Sequence, residues 1–312
     1  MYYYLDSTPT HSYFKSLYKY PQNEYPYKQL VEENGRRSRE EREFEIIDTK
    51  IFDNNEYFDV FAEYAKNSPD DIVIRLTVTN RSDKDAPLHL IPTLFFRNTW
   101  SSGCKHEGCS IKPKIEQKEL ENFLLTKHDV LEPFFFDINP DENDDMPEVL
   151  FTENETNMKR VFNIENKTPY VKDAFHEYII NKNANAVNPI RRGTKVGLHY
   201  QFNVKGQSST RVHLRLCRQF TEGQIPPKLT SQDIDNIFEK RIDEANRFYS
   251  LILDPKMSAD ELNIVRQAYA GLLHTKQFYH YIVEDWLTGD KEVLTSSNQR
   301  LQIARNKEWG HL

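Results

Sequence analysis

Acidic residues are the first side chains in this sequence that could carry out chemistry. A pair of carboxyl groups can do general acid–base work, in which one group donates a proton while the other activates water. The clusters are Asp53 with Glu56, and the loop 141–145. Both occur in polar, turn-like stretches, where no buried environment raises the pKa of a carboxyl group. We therefore expect solvated carboxylates there and no catalytic residue in this chain.

Two segments contain residue types that bind metal ions. The loop 141–145 could bind calcium, although it lacks the glycine and the twelfth-position glutamate of an EF-hand. Cys104, His106 and Cys109 offer zinc ligands, but a structural zinc site usually has four, and Cys217 is distant in sequence. We interpret these cysteines as incidental to a loop and predict no metal and no cofactor.

Arg97, Asn98 and Trp100 form the best candidate for contact with a substrate. They follow the end of a predicted strand. Arginine and asparagine offer hydrogen bonds, and an indole ring offers an apolar face for stacking. We predict that these three residues bind substrate. The alternative is that Trp100 packs at a domain interface while Arg97 hydrogen-bonds buried carbonyl groups.

Alternation of apolar and polar residues predicts β-strands between about residues 44 and 220. Ile72, Ile74, Leu76 and Val78 alternate with other positions, which is the pattern of a strand with one buried face. Turn residues separate this strand from a returning strand. Many strands and few helices predict a mainly β fold, a large antiparallel β-sandwich.

The returning strand is predicted at residues 87–96, after a turn at 80–85. A later pair of strands is predicted at residues 195–204 and 210–217, joined by a second polar turn. A short helix is predicted at about residues 155–162.

Helical signals follow Pro227. Thr230 with Asp233, and Ser258 with Glu261, fit capping boxes, and apolar residues follow each pair at helical spacing. The sequence therefore predicts that strands give way to helices near residue 230.

These patterns predict two regions. Residues 1–225 form the β-sandwich domain, which includes a partly helical insertion at about residues 104–190. Residues 226–312 form linker helices and the beginning of a helical domain.

Composition excludes several classes of partner. The net charge is −7, and 29% of the residues are charged. Phosphate binding needs concentrated Lys and Arg, so we predict no nucleic-acid partner. No apolar run approaches the length of a membrane helix, so we predict no membrane contact. Three cysteines do not form a disulfide framework, and no secretory signal is visible, which favours a cytoplasmic location.

Several longer motifs make the sequence resemble glycoside hydrolase family 63, in particular its large bacterial glucosidase-like members. Examples are Thr-Pro-Thr-His-Ser-Tyr at 8–13 and Phe-Thr-Glu-Asn-Glu-Thr-Asn at 151–157. The segments that carry the resemblance are 5–15, 17–22, 57–60, 71–81, 93–100, 151–157, 169–173, 276–281 and 304–312. The resemblance therefore extends along essentially the whole chain.

The resemblance implies a supersandwich-like β-domain followed by an (α/α)6 barrel. Twelve helices of ordinary length need several hundred residues with their loops, so we expect the barrel to be incomplete here. In this family the catalytic acid and base lie on barrel loops, which we expect beyond Leu312. Family members often have a second tryptophan two residues after the first, where this sequence has Ser102.

The resemblance also implies a parent enzyme, an inverting α-glucosidase that acts on oligosaccharides or small glycosides. This chain is then its non-catalytic N-terminal sandwich portion, which meets the substrate through the missing barrel. A stand-alone carbohydrate-binding sandwich is the alternative, and a structural domain without a ligand is a third.

Overall fold

The computed structural model of the protein describes residues 1–101, 108, 110–118, 121–219, 221, 223–276, 283–288, 302–305 and 307–309, with the backbone only at 285 and 288. Strands occupy most of the regular structure up to residue 218, and helices follow. The prediction of a mainly β, antiparallel fold followed by helices is confirmed.

Thirteen strands are present in the described chain. Numbered along the sequence, they are β1 Tyr2–Ser7, β2 Tyr13–Pro21, β3 Tyr57–Ser68, β4 Asp71–Asn80, β5 Ala86–Leu90, β6 Thr93–Phe95, β7 Lys114–Glu116, β8 Phe123–Lys127, β9 Phe134–Asp137, β10 Glu148–Thr152, β11 Arg192–Gly193, β12 Lys195–Val204 and β13 Ser209–Arg218. Two of them, β1 and β2, precede the predicted strand region.

These strands form two antiparallel sheets. Across the described chain, the larger sheet has nine strands in the order β1-β2-β3-β4-β13-β9-β8-β7-β11. The smaller sheet has the order β10-β12-β5, and β6 also pairs with β12. Residues predicted to form an insertion therefore contribute β7, β8, β9 and β10 to the two sheets, while short helices follow β10.

The main hydrophobic core lies between the two sheets. Phe58 and Val78 enter it from the larger sheet, and Phe151 and Val196 enter it from the smaller one. All four side chains are fully buried. Burial of each contributes on the order of 2 kcal/mol to stability. The two facing sheets thus form the predicted sandwich.

Strand β4 is covered on both of its faces, whereas the sequence predicts one buried face. Leu76 and Val78 point into the core between the sheets. Val73, on the opposite face, is fully buried in a second cluster against Ile234 and Phe238. The difference arises because a helix covers the outer face of this strand.

Two tight turns carry the chain between the sheets. The returning strand after β4 does not pair with β4, because β5 joins the smaller sheet beside β12. Likewise β12 and β13 lie in different sheets. The turns pack against each other, with the Gln207 amide donating to the Ser82 carbonyl at 2.9 Å. A Cβ on Gly206 would lie 2.4 Å from the Asp83 carbonyl oxygen, so this close approach requires glycine.

Six α-helices occur in the described chain. They are α1 Tyr27–Arg36, α2 Met158–Phe162, α3 Ala174–Ile179, α4 Ser231–Ile252, α5 Ala259–Thr275 and α6 Val283–Thr288. Both predicted capping boxes are confirmed, Thr230 with Asp233 at the start of α4 and Ser258 with Glu261 at the start of α5. The helix predicted at 155–162 is shorter and begins at Met158, because Asn157 caps it.

Helix α4 lies on the outer face of the larger sheet, and α5 runs along its edge strand β1. Phe238 of α4 packs against Tyr13 and Val73 of the sheet. Arg266 of α5 forms an ion pair with Asp6 of β1. Helix α4 thus covers part of the outer face of the larger sheet, and α5 covers its edge at β1.

Candidate functional site

The residues predicted to contact a ligand lie where β6 and β10 end and the antiparallel β12 begins. The Phe96 amide donates to the Thr194 carbonyl at 3.0 Å, and the Asn154 side-chain amide donates to the Phe96 carbonyl at 2.9 Å. The loop after β6, which contains Trp100, is therefore held against the segment after β10, which contains Glu155.

Four side chains at this point form what we call the Trp100 cluster: Trp100, Lys112, Glu153 and Glu155. The Trp100 indole Nε1 donates to Glu155 Oε1 at 2.8 Å. Lys112 Nζ lies 2.7 Å from the same oxygen and 3.2 Å from Glu153 Oε2. Glu153 Oε2 also accepts a hydrogen bond from the Thr194 hydroxyl at 2.7 Å. One lysine thus bridges two largely buried carboxylates.

The structure brings only one of the three predicted substrate-binding residues into this cluster. The Asn98 side chain is directed onto its own loop. Its Nδ2 donates to the Ser101 hydroxyl, and its Oδ1 accepts from the Ser101 backbone amide. Arg97 is exposed. Ser102 lies outside the described residues. Substrate binding by Arg97, Asn98 and Trp100 stays a prediction.

Replacement of Glu155 by glutamine is expected to reduce the acid sensitivity of the protein. Burial opposes ionisation of Glu155, but hydrogen bonds from Lys112 and Trp100 outweigh it and hold the pKa below its usual value. A lowered folded-state pKa gives stability that is present above the unfolded-state pKa and lost as the pH falls. At pH 7 we expect Glu155→Gln to cost about 1–2 kcal/mol of unfolding free energy.

Thermal unfolding between pH 3 and pH 7 tests this expectation. The difference between wild type and Glu155→Gln should shrink as the pH falls. The matched control is Glu165→Gln, which removes an exposed partner of Lys159. Equal melting curves for wild type and Glu155→Gln at pH 7 would show that the Trp100 cluster does not stabilise the sandwich.

The acidic clusters of the sequence lie at the surface. Asp53 is exposed, and Glu56 accepts a hydrogen bond from Asn23. In the loop 141–145, Asp141 Oδ1 accepts hydrogen bonds from the backbone amides of Asn143 and Asp145. Solvated, hydrogen-bonded carboxylates of this kind are typical of turns and do not form an acid–base pair.

A buried charged cluster that sequence reasoning missed lies on the outer face of β4, β9 and β13. Arg215 binds both carboxylate oxygens of Asp71, at 2.8 and 2.7 Å. A third Arg215 nitrogen donates to the Pro227 carbonyl at 2.7 Å. Asp137 is a neighbour, and its burial raises its pKa to about 6, against the opposing charges of Arg215 and Lys228.

A raised carboxyl pKa is a feature of catalytic acids, but the surroundings of Asp137 do not complete a catalytic pair. The carboxylate whose charge acts on it, Asp71, is fully engaged by Arg215. An open cleft of about 280 Å³ lies elsewhere, lined by residues that include Tyr3, Phe52 and Asp53.

Replacement of Asp137 by asparagine is expected to stabilise the protein at neutral pH. Because the folded-state pKa is raised to about 6, the folded protein disfavours the ionised carboxylate. The loss of unfolding free energy caused by ionising Asp137 is absent below the unfolded-state pKa and fully present above pH 6. Asp137→Asn should therefore increase the unfolding free energy by about 1–3 kcal/mol at pH 7.5 and very little at pH 4. Denaturant titrations at both pH values test this, and a pH-independent difference would contradict it.

The predicted zinc ligands Cys104, His106 and Cys109 lie outside the described residues. Cys217 is described, and it is a buried free thiol on β13. Among the residues that the structure describes, no group of three or more His, Cys, Asp or Glu side chains is arranged to hold a metal ion.

Sequence reasoning also missed an aromatic surface on β1 and β2. Tyr2 and Tyr18 stack with ring centroids 4.3 Å apart, and Tyr20 lies beside Tyr18. The signal is present in the sequence as tyrosines at alternate positions of the two strands. It was not recognised because the strand region was predicted to begin only near residue 44.

The fold and the contacts define a β-sandwich with helices docked on its outer face. No helix in the described ranges is long and apolar enough to span a membrane. No known family model matches the chain. Among curated proteins, the chain is similar to the uncharacterized protein YMR196W of Saccharomyces cerevisiae, with 38% identity over 346 aligned positions. The match includes all of this chain but 32% of the yeast protein, so the chain spans about a third of that relative.

Among solved structures, the chain is similar to a protein from the human microbiome that is described as a kojibiose phosphorylase. The sequence identity is 12%, the TM-score is 0.27, and the match covers 69% of this chain and 21% of the other. This likeness is too low to define a shared overall fold.

Proposed function

We propose that this chain is the non-catalytic sandwich portion of a larger carbohydrate-active enzyme of the glycoside hydrolase family 63 type. The observation that carries the proposal is the asymmetry of α4 and α5. One side of these helices is fastened to the sheet by specific contacts, and apolar side chains remain at the surface on the other.

Polar contacts fix the inner side of the helices. The Tyr249 hydroxyl of α4 donates to the Ser7 carbonyl at 2.5 Å, and Arg266 of α5 pairs with Asp6. The Arg75 guanidinium lies 4.1 Å from the centre of the Phe238 ring, and its nitrogen Nε donates to Glu63 at 2.9 Å. Such contacts hold the helices in one orientation on the sheet.

Apolar residues remain at the surface in the last turn of α4 and along α5. Leu251 is 84% exposed and Leu272 is 70% exposed, while Ile252 and Ile264 are also at the surface. Exposed apolar surface of this kind indicates a site of contact with further polypeptide. In the proposal, that polypeptide is the helical region of a longer protein, as the greater length of the yeast relative supports.

The sandwich then has a supporting role. It braces a helical barrel and shapes one rim of a cleft in which a carbohydrate is bound. The proposed reaction of the whole enzyme is inverting hydrolysis of an α-glucoside, with an oligosaccharide or small glycoside as substrate and a cytoplasmic location. The acid and base would come from the barrel, and Arg97, Asn98 and Trp100 remain the proposed substrate contacts of the sandwich.

Changing the outer face of α5 is expected to alter association without loss of stability. The 312-residue chain should self-associate through its exposed apolar side chains. The double variant Ile264→Glu and Leu272→Glu should be monomeric, with an unfolding free energy within about 0.5 kcal/mol of wild type. Light scattering after size-exclusion chromatography measures the change. Val31→Glu, an exposed position on α1, is the matched control and should leave association unchanged.

Two results would contradict the proposal. A monomeric wild-type chain that binds no hydrophobic dye would show that the helices have no surface to be covered. Release of glucose from an α-glucoside, lost on substitution of an acidic residue of this chain, would show that the sandwich is itself catalytic.

A further inference from the structure

The larger sheet extends beyond the smaller one. Strands β10 and β12 lie near β11 and β7, at one end of the larger sheet. Strands β1 and β2 form its opposite end. The second sheet therefore covers the inner face of the larger sheet at β3 and β4. On β1 and β2, His274 of α5 contacts Tyr4 and Phe14 on this face, and the part around Tyr2 is left open.

A single row of side chains shows this change. Tyr2, Tyr18, Val60 and Val78 are aligned across β1, β2, β3 and β4 by the strand register, so they share one face. Val78 is fully buried in the core, whereas Tyr2 is 76% exposed. The row is therefore buried in the core at Val78 and exposed as an aromatic surface at Tyr2.

Five tyrosines define this surface, which we call the tyrosine cluster: Tyr2, Tyr18, Tyr20, Tyr25 and Tyr27. Tyr2 stacks on Tyr18 with an interplanar angle of 13°. The ring centroids of Tyr18 and Tyr20 are 5.7 Å apart, and those of Tyr25 and Tyr27 are 4.5 Å apart. Burial, together with the four neighbouring phenols, raises the pKa of Tyr18 to about 12.

The chemistry of the cluster restricts what it can bind. Its members are uncharged at neutral pH, and each combines an apolar ring face with a hydroxyl group that donates and accepts hydrogen bonds. A phosphate backbone or an acidic peptide requires Lys or Arg, and the cluster contains neither.

We propose that the tyrosine cluster is a binding site for a neutral oligosaccharide. Sugar rings have apolar faces that stack on aromatic rings and hydroxyl groups at their edges that meet phenol hydroxyls. The row across β1 and β2, extended by Tyr25 and Tyr27, offers several rings to successive sugar units. This site is separate from the Trp100 cluster and does not depend on the proposed supporting role.

Titration of the 312-residue chain with a neutral glucan tests the inference. The probe is maltohexaose, and binding is measured by isothermal calorimetry and by saturation-transfer NMR. Tyr27→Ser and Tyr2→Ser remove the two most exposed rings of the cluster. Each should raise Kd by about 3- to 10-fold. Phe162→Ser removes an exposed aromatic ring outside the cluster and should leave Kd unchanged.

Each other outcome has a defined meaning. No binding of maltohexaose or of chitohexaose, a second neutral probe, would overturn the inference. Binding that persists in the double variant Tyr2→Ser and Tyr27→Ser would also overturn it, and its loss in Trp100→Phe would assign the sugar to the Trp100 cluster. Self-association abolished by Tyr27→Ser but not by Ile264→Glu with Leu272→Glu would identify a second copy as the occupant instead.

Discussion

Replacement of Asp71 by alanine is expected to lower the free energy of unfolding by about 3–5 kcal/mol. Asp71 and Arg215 form a bidentate pair between β4 and β13, and both side chains are almost completely buried. Removing the carboxylate leaves a buried guanidinium whose desolvation is no longer compensated. A loss of this size is a large fraction of the stability of a typical domain.

A double variant separates the strength of the pair from the cost of breaking it. Asp71→Leu combined with Arg215→Met removes both charges, and we expect it to recover most of the lost stability. Asp243→Ala is the control because it breaks the exposed pair with Arg247, and it should cost less than about 1 kcal/mol. Denaturant titration measures all of these variants. A loss for Asp71→Ala as small as that for Asp243→Ala would show that the pair is not buried.

Replacement of Phe238 by alanine is expected to lower the free energy of unfolding by about 3–5 kcal/mol. Phe238 is fully buried between α4 and the outer face of the larger sheet, against Tyr13 and Val73. The substitution leaves a cavity and also removes the ring on which the Arg75 guanidinium rests. Because α4 meets the sheet through this side chain, its amides should exchange faster with deuterium.

The matched control for Phe238 lies on the same helix. Leu251 is 84% exposed, so Leu251→Ala should change the unfolding free energy by less than about 0.5 kcal/mol. Equal, small losses for Phe238→Ala and Leu251→Ala would mean that α4 is not docked on the sheet.

Strand and helix positions could be predicted from the sequence because they depend on local patterns. The alternation at 72–78 predicted β4, and the capping residues Thr230 and Ser258 predicted where α4 and α5 begin. Strands β1 and β2 were missed because aromatic residues there occupy both faces, which obscures an in–out pattern. An aromatic-rich strand at the open end of a sheet gives no hydrophobic contrast.

The candidate sites were less predictable than the elements that carry them. Trp100 was recognised by residue type, but its partners Lys112 and Glu155 are distant in sequence and carry no motif that connects them to it. The pKa of Asp137 depends on burial and on charges from two other strands and a linker. Such groups are brought together only by the packing of the chain.

The sequence by itself determined the class of this protein, an antiparallel β fold followed by capped helices, because period-two alternation and capping boxes are local properties. Tertiary structure decided which sheet each strand joins. The pattern around the turn 80–85 predicts a hairpin, yet β5 crosses to the second sheet, where the buried Asn80 side chain bonds the carbonyls of Lys84 and Val204. Alternation specifies which face is buried but not which neighbour buries it, so the open tyrosine face and the covered outer face of β4 emerge only from packing.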